Sequence, residues 1–300
     1  MQQHDWAGVF PAITTPFGSD GEIDAPALAA HVGWLADAGC RGIVALGSLG
    51  EGATLRADEK VRVLQVCREA LSGRLPLIAG ISGLSTEECV ALARAAERVG
   101  CTGLMVLPPY VYRGDWPETE AHFTAVLGAT SLSCMLYNNP IAYGTDLLAD
   151  DVARLAERHR NVHAVKESSG DVRRVTALRT TLGNRLQLFA GLDDMIVEAA
   201  AMGAHGWVAG LVNAFPVESV RLFELARAGR GEEVRRLYDW FLPLLRFDTV
   251  PKFVQLIKLA QAEVGKGSER VRPPRLALAG AERAAVLGVL HRQLSVRPLL

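Results

Sequence analysis

Val162-His163-Ala164-Val165-Lys166-Glu167-Ser168-Ser169-Gly170 is a short apolar run that ends on a lysine. Such a run reads as a buried strand. Residues 172–182 follow it with apolar positions at helical period, and residues 186–190 form another short apolar run. Strand, helix and strand in succession make one β/α unit of a parallel sheet.

The same alternation extends in both directions. Strands are expected over residues 9–14, 42–46, 77–79, 103–107, 134–137, 162–166, 186–190 and 206–208. Helical patterns occupy 25–38, 57–71, 86–99, 118–127, 147–158, 172–182, 194–202 and 217–228. Leu28, Val32 and Leu35 are spaced as one helix face. Thr86 and Asp150 stand where an N-cap or a first-turn polar group belongs. Gly39, Gly73, Gly100, Gly183 and Gly203 stand where glycines close helices. Eight such units closing on themselves give a (β/α)8 TIM barrel, at about the usual length of that fold. A doubly wound open sheet is the alternative, but no Gly-x-Gly-x-x-Gly follows the first strand. The barrel is expected to occupy residues 1–229. A C-terminal helical extension, 230–300, has helices over 232–244, 254–264 and 281–294 and a loop at 265–274.

The chain has 300 residues, a net charge of −1, 49% hydrophobic and 22% charged residues. This composition suits one large core. Near-neutral charge argues against a nucleic-acid partner. No run is long and uncharged enough for a membrane span, and Met1–Asp5 lacks the regions of a secretory signal, so a cytoplasmic location is expected. Cys40, Cys67, Cys89, Cys101 and Cys134 are scattered without Cys-x-x-Cys, as buried thiols in a reducing compartment would be. The histidines have no metal-ligand spacing, so no metal is expected.

In a barrel of this kind the chemistry gathers at the carboxyl ends of the strands. Lys166 ends the sixth. Burial disfavours a charged ammonium, and a free amine attacks carbonyls and imines to give a Schiff base. The plainer role is a lysine leaving the core for solvent or for Glu167. The fifth strand ends in Tyr137-Asn138-Asn139-Pro140, where Tyr137 is either a hydrogen-bonded core aromatic or a general acid/base beside the amine. The second ends in Gly47-Ser48-Leu49-Gly50-Glu51-Gly52. Its glycines let backbone amides point at one spot, which suits a carboxylate, and the same residues also suit a tight turn with a capping serine. Gly191-Leu192-Asp193-Asp194 ends the seventh, where Asp193 meets a polar substrate or caps the next helix. The eighth ends in open backbone at Gly206–Gly210. An amine, a phenol, an anion-binding turn and a carboxylate around one cavity fit Schiff-base chemistry on a small 2-oxo or imino acid.

Gly47-Ser48-Leu49-Gly50-Glu51, Tyr137-Asn138-Asn139-Pro140 and Lys166-Glu167-Ser168-Ser169-Gly170 resemble the signatures of the dihydrodipicolinate synthase / N-acetylneuraminate lyase superfamily. Pro11-Ala12-Ile13-Thr14-Thr15-Pro16-Phe17 and the helical extension fit as well. The resemblance implies a cytoplasmic class I aldolase or dehydratase, a homotetramer or homodimer, with no metal or organic cofactor. It makes Lys166 the Schiff-base lysine and Tyr137 the proton-transfer residue. Ser48 with the amides of Ser48 and Leu49, in the turn that Gly50 completes, would hold the substrate 2-carboxylate. Gly191, Asp193 and Gly210 would line the rest of the substrate site.

Departures from the pattern bear on the reaction. A synthase of this family resembles Tyr-Asn-Val-Pro-x-Arg-Thr, with an arginine for the second substrate's carboxylate. That position is Ala142 here. The second hydroxyl of the Gly-Thr-Thr-Gly-Glu turn is Leu49. Pro108-Pro109-Tyr110-Val111-Tyr112 lacks the adjacent tyrosine pair through which a neighbouring subunit joins the synthase proton relay. Losing a guanidinium fork is not a conservative change. Gly-Ser-Leu-Gly-Glu, Tyr137–Gly144 and Lys166–Arg174 together look most like the Δ1-pyrroline-4-hydroxy-2-carboxylate deaminase branch of hydroxyproline breakdown. The alternatives are an aldolase or dehydratase of 2-keto-3-deoxy sugar acids or sialic acid, 4-hydroxy-tetrahydrodipicolinate synthase, and a non-catalytic barrel binding protein.

Overall fold

Eight parallel strands pair in the order β1-β8-β7-β6-β5-β4-β3-β2. They are β1 (Gly8–Pro11), β2 (Ile43–Ala45), β3 (Leu77–Ile81), β4 (Gly103–Val106), β5 (Ser133–Asn138), β6 (Val162–Glu167), β7 (Gln187–Ala190) and β8 (Gly206–Ala209). A bridge from Ala12 to Val44 joins the two ends of the sheet and closes the barrel. This computed structural model describes residues 1–299.

The helices are α1 (Ala25–Asp37), α2 (Ala57–Leu71), α3 (Thr86–Val99), α4 (Trp116–Leu127), α5 (Pro140–Tyr143), α6 (Ala149–Arg158), α7 (Arg173–Leu182), α8 (Ile196–Ala201), α9 (Pro216–Arg227), α10 (Gly231–Leu245), α11 (Phe253–Glu263) and α12 (Gly280–Ser295). The expected elements are all present, most within two residues of their expected bounds. The first strand is shorter, ending at Pro11, after which Ala12 bridges across to Val44. The expected 194–202 helix opens as a 3-10 turn, Asp193–Met195. The helix α5 was not expected. Its four residues are too few to show a period. Ser85, one residue before Thr86, caps α3, accepting a hydrogen bond from the Glu88 amide at 3.1 Å. Gly100 closes the same helix at φ 93°, a conformation a side chain disfavours.

Strand alternation sorts two buried layers. On β5, Cys134 and Leu136 pack outward against the helices, while Met135 and Tyr137 point into the barrel. On β6 an irregularity at His163 shifts the order, so that Val162 and Val165 point out, and Ala164 and Lys166 point in. The barrel interior is otherwise filled by Phe10, Val44, Ile78, Met105, Phe189 and Val208. Trp6 plugs the lower end, and its indole donates to Ser133 Oγ at 2.7 Å. All five cysteines are buried free thiols. Among the described residues, no helix is long and apolar enough to cross a membrane.

The extension is fastened to the barrel by α11, whose Val254–Gln261 run is buried throughout. Gln261 joins a buried polar cluster with Thr14, His31 of α1 and Asn213. Thr14 Oγ1 donates to Gln261 Oε1 at 2.8 Å, and His31 Nε2 lies 2.8 Å from Asn213 Oδ1. Burial lowers the His31 pKa to about 4, against the Asn213 hydrogen bond that raises it.

Candidate active site

Lys166 does not leave the core. It is 6% exposed, and its Nζ sits 4.2 Å from the centre of the Tyr137 ring. The two residues are direct partners in the β5–β6 ladder, so parallel register alone sets them side by side. Glu167 is no partner for it. On the opposite face of the strand, that carboxylate accepts from Asn138 Nδ2 at 3.0 Å and from the Ser169 amide at 2.6 Å. Gly191 ends the neighbouring β7. A Cβ there would lie 2.5 Å from Lys166 Cε and 1.9 Å from Ser168 Oγ. Glycine at 191 is therefore what lets the lysine stem lie where it does.

A chain of hydroxyls faces the amine. Tyr137 Oη accepts from Asn139 Nδ2 at 3.1 Å. Tyr143 stands edge-on to Tyr137 with ring centres 5.7 Å apart, and its hydroxyl is hydrogen-bonded to Ser48 Oγ. Tyr110 packs on Tyr143 from the other side at 5.5 Å. Burial, then the neighbouring Tyr137 and Tyr110, drive the Tyr143 phenol well above its ordinary range, against the Ser48 hydrogen bond. Tyr143 was part of the quoted motif but received no role in the sequence reading. It is delivered by α5, which Asn139 caps by accepting from the Ala142 amide at 3.0 Å. Ala142 itself is exposed.

The turn after β2 is held in a strained conformation. Leu46 (φ 65°) and Glu51 (φ 56°) both lie in the left-handed region, at about 1–3 kcal/mol each. Glycine is required at 52, where a Cβ would lie 2.3 Å from the Leu46 carbonyl oxygen, and at 50, where it would lie 2.9 Å from that of Ile13. What over-determines the turn comes from the far end of the chain. Lys258 of α11 donates to Glu51 Oε1 at 2.5 Å, to the Thr15 carbonyl at 2.8 Å and to the Arg270 carbonyl at 2.7 Å. The Arg272 amide donates to Glu51 Oε2 at 3.0 Å. Burial pushes the Lys258 ammonium down, and the Glu51 carboxylate opposes that shift. Ser48 is half-buried at the rim of this turn, with Leu49 behind it.

Asp193 corrects an expectation. It is fully buried, and both carboxylate oxygens are occupied by protein donors. Trp207 Nε1 donates at 2.9 Å, the Gly210 amide at 3.0 Å and the Leu211 amide at 2.7 Å. A carboxylate so enclosed ties the end of β7 to the end of β8 and has no oxygen left for substrate. Burial raises its pKa to about 6 although these donors and Lys166 lower it. Gly210 has a role not foreseen. A Cβ there would lie 2.1 Å from Oδ1 of Asp248, a residue of the extension that leans over the barrel mouth.

A (β/α)8 barrel with a buried lysine ending its sixth strand, a tyrosine beside it on the fifth and a hydroxyl-bearing turn opposite has the build of a class I Schiff-base lyase. Comparison with known proteins agrees. The sequence model of the dihydrodipicolinate synthetase family matches residues 5–293. A 4-hydroxy-tetrahydrodipicolinate synthase of Pelobacter propionicus is 32% identical over 283 residues, covering 94% of this chain and 97% of that protein. The protein of the same name from Rhizobium meliloti is 32% identical over 285 residues, covering 95% and 97%. Among solved structures, the 4-hydroxy-tetrahydrodipicolinate synthase of Methylacidiphilum fumariolicum superposes with a TM-score of 0.90 at 30% identity over 97% of each chain. The chloride-inhibited dihydrodipicolinate synthase of Acinetobacter baumannii complexed with pyruvate gives 0.91 at 29% identity, covering 96% of this chain and 98% of that one. The chain belongs to the dihydrodipicolinate synthetase family and is an enzyme of the Schiff-base lyase class.

Proposed function

We propose that the enzyme deaminates Δ1-pyrroline-4-hydroxy-2-carboxylate to 2-oxoglutarate semialdehyde and ammonia. Lys166 attacks the imine carbon C2. The C2–N bond of the ring breaks, the nitrogen takes a proton and stays on C5 as an amine, and C2 is held as an imine on Lys166. The 4-hydroxyl then leaves as water. Proton shifts from C5 and its nitrogen to C3 and C4 then move the double bond to C5=N, and two hydrolyses follow, one releasing ammonia from that imine and one freeing Lys166, so one water is consumed overall. Ser48 and the amides of Ser48 and Leu49 hold the carboxylate, and Tyr137 moves protons at the reacting carbons.

The observation that carries this reading is the wall beside Lys166. Where a synthase of the family has an arginine for a second carboxylate, this chain has the exposed Ala142, followed directly by Tyr143, whose hydroxyl joins Ser48. Ala142, Tyr143 and Ser48 themselves supply hydroxyls and no charge for a second acid. They also place the hydroxyl chain within a single subunit, in agreement with Val111 at the position where the family pattern has the second tyrosine.

A second reading has a specific observation in its favour. Arg113 lies over Gly144, two residues beyond Ala142. A Cβ at 144 would sit 2.0 Å from Arg113 Nε. A guanidinium there would serve the synthase reaction, whose name the relatives bear. Comparing kcat/KM on one preparation decides between them. The deaminase reading expects ammonia from the hydroxylated pyrroline and no condensation of pyruvate with aspartate semialdehyde. Without a matching cation a buried carboxylate costs several kcal/mol, on the order of a thousandfold in specificity. Efficient condensation that Arg113→Ala abolishes, with no ammonia released, would establish the synthase instead.

A further inference from the structure

The mouth of the barrel has two sides. On the β2 and β5 side lie the hydroxyls of Ser48, Tyr143 and Tyr137. On the β7 and β8 side lie Asp193 and Asp248, and Lys166 stands between. Asp248 sits in the 3-10 turn Arg246–Thr249 that follows α10, with a carboxyl oxygen pressed on the bare Cα of Gly210. It is half-buried. Among the described residues, no side chain hydrogen-bonds its carboxyl, and the donor turned toward it is the Asp193 amide.

The two carboxyls are therefore unequal. Asp193 has an indole and two amides to stabilise its charge. Asp248 has burial and the adjacent Asp193 against it, both of which push its pKa well up, while Lys166 pulls it down. Carboxyls whose surroundings separate them in this way divide the work of anion and acid.

The proposed reaction has a step that needs such an acid. Removing the 4-hydroxyl requires a base at C3 and a proton donor at the departing oxygen, and one group cannot do both at once. Tyr137 stands beside Lys166 on β5, while Asp248 lies over Gly210 at the end of β8, on the other side of β6, near enough to feel the Lys166 charge.

We propose that Asp248 is a catalytic residue, the acid that protonates the 4-hydroxyl as it leaves, an inference that rests on the deaminase reading. The C3 proton passes to the tyrosine side, its electron pair forms the C3=C4 bond, and the C4–O bond breaks. The oxygen takes the Asp248 proton and departs as water. Asp248 remains as a carboxylate and regains its proton from the water that later attacks C5. Glycine at 210 leaves the space that this carboxyl occupies.

The test compares wild type with Asp248→Asn and Asp248→Glu on two substrates, the hydroxylated pyrroline carboxylate and the analogue lacking the hydroxyl, with borohydride reduction to trap the imine on Lys166. In Asp248→Asn, ammonia release should fall roughly 10²-fold or more. The trapped adduct should keep its hydroxyl, where wild type gives the dehydrated one. Glutamate should restore part of the rate. Trapping of the deoxy analogue and of pyruvate should match wild type. Ammonia release by Asp248→Asn within a few-fold of wild type overturns the proposal alone. So does loss of pyruvate trapping in that variant, which would make Asp248 a structural carboxyl. A wild-type enzyme that releases no ammonia overturns the deaminase reading, and the proposal with it.

Discussion

The two ends of this barrel are made by the same eight strands and share almost no chemistry. At the lower end Trp6 stacks on Phe10 at 5.8 Å, and Phe189 meets Phe10 edge-on at 5.3 Å. The polar atoms there are locked in pairs. Ser133 Oγ takes the Trp6 indole and lies 2.7 Å from His163 Nδ1. At the upper end the rings are phenols, the turns are strained, and an amine faces carboxyls. The irregular backbone above is held by Lys258 and Arg272 of the extension, because strained residues persist only where their surroundings over-determine them. Stability and reactivity are thus divided along the barrel axis, and substitutions at the two ends should separate them.

The largest effect belongs to the upper end. Lys166→Ala should leave no measurable turnover and no borohydride adduct in a protein that keeps its fold, because removing a buried amine also removes its desolvation cost. An adduct that survives the substitution, on Lys60, Lys252, Lys258 or Lys266, would remove Lys166 from the mechanism. Next comes Tyr137→Phe. It should lower kcat by roughly 10²-fold or more while KM changes only a few-fold. Steady-state kinetics at wild-type kcat would reduce Tyr137 to a core aromatic.

Trp6→Ala inverts the pattern. Removing a fully buried ring at the lower end should destabilise the fold by about 3–5 kcal/mol. Urea unfolding would record this, while kcat of the folded fraction stays as it was. A kcat loss comparable to that of Tyr137→Phe would mean that the two ends are not separable.

The smallest effect concerns His31, in the polar cluster that joins α1 to the extension. Its folded pKa, about 4, lies below the ordinary 6.5, so the unfolded chain binds the proton more tightly. Stability is fully present above 6.5 and declines as pH falls toward about 4, by about 3 kcal/mol at most. His31→Gln keeps a donor for Asn213 and should flatten that slope in urea titrations across the same window. An unchanged slope would assign the acid sensitivity to other groups.

The sequence made the strand ends legible, because each β/α unit announces itself in a few apolar residues followed by helical spacing. The positions of Lys166, Tyr137 and Ser48 were legible for the same reason: each lies at or just past the end of a strand. What escaped was whatever depends on contacts between distant segments. Tyr143 lies in a four-residue helix too short to show a period. Asp248 reads as one more acidic residue near a helix end until folding brings it onto Gly210. The Lys258–Glu51 pair joins positions 207 residues apart, and no local pattern marks either partner. Asp193 was misplaced because a carboxylate after a strand looks the same whether it meets a ligand or its own backbone amides.

The Lys258–Glu51 pair also sets a schedule. Chains are synthesised at about 5–20 residues per second, so the 207 residues between the partners take roughly 10–40 s to appear. Throughout that interval the nascent chain already contains the strained turn, but Glu51 has no ammonium to hold it. Lys166 is translated long before the turn across the barrel mouth is secured. A segment made late thus decides when one made early takes its final shape.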